Sequence, residues 1–278
     1  MKTEGEMINR NINAVYFSAT GTTEKIVCHA AEKLAKTIQN QGTVTKINFT
    51  LPAFREQPAS FSEADIVIMG VPVYAGRVPN VLLKYLNTFT GNGAWAVPVV
   101  VYGNRHYDDA LIELNDILET TGFKVIAGAA FIGEHSFSKI LGKDRPDEKD
   151  IAIVDEFADG ISQKIINNQP TPVTVKGNRP YRRYYVPVNA EGIPVDIRKV
   201  TPKTNNDCTD CKLCADICPM GSIDYDDVSR INGICIKCGA CIKSCPAEAK
   251  YYDDEDYLRH KQELEIQFTR RSEPELFV

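Results

Sequence analysis

Long apolar runs are missing from this chain. No stretch of its 278 residues approaches the roughly 18 consecutive apolar residues of a membrane-spanning helix. The opening MKTEGEMINRNIN mixes charges and has no apolar leader core, so a cytoplasmic protein is expected. Charge of one sign is missing too: 32 Lys and Arg face 37 Asp and Glu, and a net charge of −5 is too mild to draw a nucleic acid. Neither GxxxxGK[ST] nor GxGxxG occurs, which removes the Walker loop and the dinucleotide fingerprint and makes NAD(P)H an unexpected direct donor. There is no GxSxG elbow and no HExxH pair, so hydrolase chemistry has no support. Cysteine is almost absent from the first two hundred residues, where Cys28 stands alone on an amphipathic stretch and reads as a buried structural thiol.

What is present divides the chain. Its apolar fraction of 43% and charged fraction of 25% are those of a folded protein, and its length suggests two domains. Up to residue 168, short β-branched runs alternate with amphipathic stretches. Residues 12–17, 44–49, 64–71, 95–103 and 124–132 read as buried strands, and residues 23–39, 78–89, 108–122 and 147–166 as helices. The proline-broken stretch 50–63 has room for a short helix only. Repeated strand–helix alternation implies an α/β fold with a parallel sheet covered on both faces. Residues 169–194, rich in proline, glycine and arginine, read as a linker, with Arg179, Arg182 and Arg183 on a solvated face in preference to meeting a phosphate or a partner. Residues 195–250 are too few to build a core unaided and need metal to fold. Residues 251–278 read as a helix and an extended tail packed back on one of the domains.

The remaining eight of the nine cysteines fall into two copies of CxxCxxCxxxCP. In the cytoplasm thiols stay reduced, so such patterning indicates metal ligands. A zinc ribbon needs two separated CxxC knuckles and leaves the third cysteine of each triplet idle. The spacing is that of bacterial iron–sulfur runs, in which the fourth cysteine serves the other cluster. On that assignment one [4Fe-4S] cluster belongs to Cys208, Cys211, Cys214 and Cys245, and the other to Cys218, Cys235, Cys238 and Cys241. Residues 207–246, with both Cys-Pro pairs, resemble bacterial two-cluster ferredoxins, a family that passes single electrons at low potential.

After the first strand, SATGTTEK leads straight into a helix. Backbone N–H groups, the helix end and the hydroxyls of Ser18, Thr20, Thr22 and Thr23 suit a phosphate monoester, where a structural N-cap would need only one hydroxyl. The ligand belongs beyond the carboxyl ends of the strands. There the loops VPVYAGRVPN and YGNRHYDDA present Tyr74 and Tyr107, placed to sandwich a flat ring or simply to cap the sheet. His29, His106 and His135 each have a reading as proton donor, and only His106 lies in one of these loops. Trp95 opens its strand at the far end of the sheet.

With these loops on the page, residues 12 to about 168 resemble a flavodoxin. The resemblance implies a doubly wound five-stranded parallel sheet of order 2-1-3-4-5, followed by the small α+β two-cluster domain. It implies noncovalent FMN, with phosphate on Ser18, Ala19, Thr20, Gly21, Thr22 and Thr23. The ring is expected on Pro72, Val73, Tyr74, Ala75, Gly76 and Arg77 from one loop, and on Tyr102, Gly103, Asn104, Arg105, Tyr107, Asp108 and Asp109 from the other. Arg77 and Arg105 would stabilise an anionic reduced flavin or face solvent. The segment GEHSFSKILGKDRPD after Ile132 departs from the family's last strand and helix.

Together the two resemblances imply an electron-transfer iron–sulfur flavoprotein that joins one-electron to two-electron traffic. The expected partner is an external redox protein, with homodimerisation in reserve in case flavin and cluster come closer between subunits than within one. The alternatives are an FMN-dependent reductase of a quinone or metabolite, and a redox sensor acting through a partner.

Overall fold

The computed structural model describes residues 10–39, 43–167 and 170–278. The opening residues 1–9 and the expected boundary of the first domain at 168–169 lie outside them. The first unit alternates β1 (Asn11–Tyr16), α1 (Thr22–Thr37), β2 (Thr45–Asn48), β3 (Asp65–Pro72), α2 (Asn80–Leu86), β4 (Trp95–Tyr102), α3 (Ala110–Thr120), β5 (Lys124–Val125), β6 (Gly128–Ile132) and α4 (Glu148–Ile166). The parallel strands lie in the order β2-β1-β3-β4-β6, which is the doubly wound flavodoxin-like order. Residues 52–55 form the short helix allowed for the proline-broken stretch.

The sheet departs from five plain strands in two ways. The expected strand at 124–132 is split: β5 pairs Trp95 with Lys124, but β6 pairs Val99 with Ala129, so one extra residue is inserted between them. Ile126 and Ala127, at the insertion, are both buried on the same face. The second departure is an added edge strand, β9 (Glu275–Phe277), antiparallel to β6. The tail thus completes the sheet of the first unit.

Two apolar layers hold the sheet. Phe17, Phe49, Val71, Leu82 and Leu111 pack on the α2 and α3 side, and Ile12, Ile26, Leu34, Phe131 and Phe157 on the α1 and α4 side. Burying each side chain of this size contributes about 1.5–3 kcal/mol.

Residues 170–194 do more than connect. Asp109, buried at the start of α3, accepts from Asn178 N at 2.9 Å, Asn178 Nδ2 at 2.8 Å and Arg182 N at 2.7 Å. Asp116 takes Arg179 Nε at 2.9 Å and the hydroxyl of Tyr181. The segment is strapped along α3 because two carboxylates on that helix meet its backbone and one of its arginines.

The second unit contains β7 (Lys203–Thr204) paired with β8 (Lys250–Tyr251), and the one-turn helices α5 (Leu213–Asp216) and α6 (Ala240–Lys243). After it comes α7 (Glu255–Gln267). The two cysteine runs share one local backbone. Left-handed residues occur at Asp210, Lys212 and Gly221 in the first and at the matching Lys237, Gly239 and Glu248 in the second. The small core has Ile223, Val228, Cys214 and Cys241 as its buried members, so thiols take the place of missing aliphatic bulk.

Candidate functional site: two thiol-lined cavities beside a cleft

The eight clustered cysteines separate into two sets of four. Cys208, Cys211, Cys214 and Cys245 line one pocket. Cys218, Cys235, Cys238 and Cys241 line another. The fourth cysteine of each run crosses to the other set, because the one-turn helix that carries the third cysteine of each triplet turns the chain away. Backbone N–H groups freed by the turns point at the sulfurs: Asp210 N lies 3.4 Å from Cys208 Sγ, Ser222 N 3.4 Å from Cys218 Sγ and Ala249 N 3.2 Å from Cys245 Sγ.

Among the described residues no three His, Cys, Asp or Glu side chains converge on a single ion. Four thiols lining each pocket fit an iron–sulfur cluster. Burial pushes the Cys238 thiol up to about 12, so loading this cavity must release protons to free the thiolate.

The cleft at the carboxyl end of the sheet has about 450 Å³ of empty space. Of the residues expected around a flavin, Ala19, Thr20, Thr22, Thr23, Pro72, Val73, Tyr74, Tyr102 and Gly103 line it. The hydroxyls of Thr20, Thr22 and Thr23 hydrogen-bond to no other described residue. Ser18 instead accepts from Glu24 N at 3.1 Å and acts as an internal cap. Gly21 precedes α1 at φ 84° with open space around it and offers no side-chain cap of its own. A phosphate suits this end because the helix dipole favours negative charge there.

The rest of the expected ring site is arranged differently. Tyr107 is buried in the core with its hydroxyl donated to Glu275 Oε2 at 3.0 Å, so the tyrosine sandwich does not form. Arg77 holds the buried Glu113 in a two-pronged bond at 2.7 and 2.6 Å, and Arg105 pairs with Asp108. Neither arginine follows either of its expected readings. Asn104 is tied to the tail, and Asp109 to the strap. Ala75 and Gly76 form the turn beside the cleft, with Gly76 packed against Asp108.

In place of the second loop the cleft takes Gly133, Glu134, His135 and Ser136, from the segment whose sequence departed from expectation. The sequence signal for them was their place at the end of the last strand, the same sheet edge as the other loops. His135 Nδ1 accepts from Phe137 N at 3.1 Å, which leaves the proton on Nε2. Burial, then the nearby Lys243, His260 and Arg105, lowers its pKa to about 4, so the ring is a neutral donor at neutral pH. His106 stacks on Tyr107, and His29 bonds Asp155 at 2.8 Å away from the cleft.

Cys238 lines both the cleft and the second thiol cavity. The wall between them is held by Lys243 of α6, which donates to Glu134, to His135 O at 2.8 Å and to Ser138 O at 3.1 Å. On the other side Arg55 reaches from the sheet loop to Pro219 O at 2.6 Å.

Comparison with known proteins agrees with the second unit. Residues 174–262 match the family model described as a 4Fe-4S dicluster domain. No curated protein matches the chain. Among solved structures, the Streptococcus pneumonia TIGR4 flavodoxin is similar at 20% identity over 55% of this chain and 98% of that one, with a TM-score of 0.39. Oxidised Flavodoxin 2 from Bacillus cereus is similar at 16% identity over 55% of this chain and 99% of that one, with a TM-score of 0.41. The assignment of the first unit rests on its strand order and not on these scores.

Proposed function

From a chain that joins a flavodoxin-like sheet to a 4Fe-4S dicluster segment, we propose an electron-transfer protein that exchanges electrons between two [4Fe-4S] clusters and FMN. The observation that carries this reading is Cys238, which stands in the wall of both the cleft and a thiol cavity. The bound groups would supply one-electron and two-electron redox chemistry, and the protein sets their separation, potential and access to water.

Each residue then has a task. Cys218, Cys235, Cys238 and Cys241 hold the cluster beside the cleft, and Cys208, Cys211, Cys214 and Cys245 hold the outer one. The α1 N-terminus with Thr20, Thr22 and Thr23 receives the phosphate, and Tyr74 and His135 border the ring. Lys243 keeps the two units in register. The exposed Cys211 marks where an external redox protein would exchange electrons with the outer cluster. Since one residue serves both walls, a second copy is not needed to bring the sites together. None of the nine cysteines is paired in a disulfide, which suits a reducing compartment.

Anaerobic purification with iron, sulfide and flavin quantitation, followed by stepwise reductive titration, tests the reading. About eight irons per chain, as two four-iron clusters require, with stoichiometric FMN reduced in equilibrium with the clusters, is the expected result. Zinc in place of iron, or a preparation that binds no flavin, overturns it.

A further inference from the structure

The two cysteine runs are near-copies, and each is followed, at the same distance from its last cysteine, by a tyrosine: Tyr225 after Cys218 and Tyr252 after Cys245. Their surroundings differ. Tyr225 is 58% exposed, with Lys212 Nζ 5.9 Å from its ring. Tyr252 is 9% exposed and lies under α7, its ring 4.2 Å from that of Tyr257, which in turn packs on Phe137 at 4.7 Å.

The Tyr252 hydroxyl has one hydrogen-bond partner among the described residues, Cys235 Sγ at 3.6 Å. A buried hydroxyl keeps a partner because leaving it unmet is costly. Cys235 belongs to the set that includes Cys238, hence to the cavity beside the cleft. Its counterpart Cys208, in the outer set, accepts from the backbone N–H of Asp210.

We propose that Tyr252 tunes the cluster nearer the flavin cleft, by donating its O–H to the ligand sulfur of Cys235. The proposal rests on the cluster assignment given above. Adding an electron to a cluster increases the negative charge on its ligand sulfurs. An O–H dipole aimed at one of them stabilises the reduced state over the oxidised one and raises the reduction potential. Among the described residues the outer set has no hydroxyl donor: Tyr225 is exposed, and Cys208 and Cys245 accept from backbone N–H groups. Tyr252 is thus a positioning residue: it holds a dipole, and it neither binds flavin nor ligates iron. Its aim is set by α7, so the C-terminal helix reaches the redox centre through a packed aromatic ring.

Tyr252→Phe removes one oxygen and keeps the ring that packs on Tyr257, so the fold is retained. Tyr225→Phe removes the same atom at the matching position of the other repeat. Electron paramagnetic resonance, followed through a redox titration of the anaerobically purified full chain, reads the potentials directly. In Tyr252→Phe one cluster midpoint is expected to fall by roughly a tenfold change in the one-electron equilibrium, about 59 mV, while the other stays in place. Tyr225→Phe is expected to move neither. Unchanged midpoints in Tyr252→Phe, equal movement of both, or the same shift in Tyr225→Phe overturns the proposal and leaves the cluster assignment standing. Absence of cluster signals from the parent protein overturns both.

Discussion

Lys212 and Gly239 occupy the same position in the two repeats, and both are left-handed, at φ 63° and 78°. Lysine is tolerated at the first at a strain of about 1–2 kcal/mol, with its ammonium held by Asp210 at 2.8 Å and Asp226 O at 3.1 Å. At the second a Cβ would lie 2.5 Å from the carbonyl oxygen of Ser136, in the rim of the cleft. Gly239→Ala is therefore expected to lower the melting temperature and to loosen the inner cluster, read as lost iron. Lys212→Gly is expected to stay within about 1 kcal/mol of the parent, since relieved strain offsets added chain freedom. His135 supplies a second test at this scale. Its folded pKa, about 4, lies below its ordinary 6.5. The unfolded chain therefore binds the proton first, and the stability due to the neutral ring is whole above pH 6.5 and drains away as pH falls toward 4. Melting temperatures of the parent should fall across that window more steeply than those of His135→Phe.

At the scale of elements, the tail decides the shape of the loop after β4. Asn104, buried and left-handed at φ 63°, donates to Phe268 O at 2.7 Å and Arg270 O at 2.8 Å, and accepts from Ser272 N at 3.1 Å. One side chain thus satisfies three backbone groups of a segment that then enters the sheet as β9. A second clasp lies beside it, where Arg271 bonds Asp147 at 2.6 Å and reaches the buried Asp150 at 3.3 Å, both at the start of α4. Asn104→Ala should leave those groups unmet at about 1–3 kcal/mol for each that stays buried. The expected outcome is a lower melting temperature together with faster proteolysis of residues 268–278, followed by mass spectrometry. Equal protection in parent and variant would show that β9 holds the tail unaided.

At the scale of the molecule, the units are joined by polar contacts around a shared wall. Lys243 is mostly enclosed, and its three acceptors all lie in the segment 134–138 of the first unit. Lys243→Met keeps the stem and removes the donors. Each site should still load, while electron equilibration between flavin and cluster slows tenfold or more in rapid-reaction measurements. In the parent the same rate should not change with protein concentration, because donor and acceptor walls belong to one chain. A rate that rises with concentration would mean that electrons pass between copies instead.

Much of this was legible without coordinates, since local spacing dictates local geometry. Three closely spaced cysteines wrap a loop, and a fourth after a helical turn faces away. Strand–helix alternation anticipated the parallel order of the sheet. Tertiary contact decided which of two matching repeats meets the cleft, so that Gly239 lies against Ser136 and Tyr252 is enclosed while Tyr225 is open to water. It also turned Tyr107 inward, gave Arg77 to Glu113, and brought Gly133–Ser136 to the rim. The physical reason is range: a motif specifies its own backbone, but the neighbours of its side chains are supplied by segments far away along the chain.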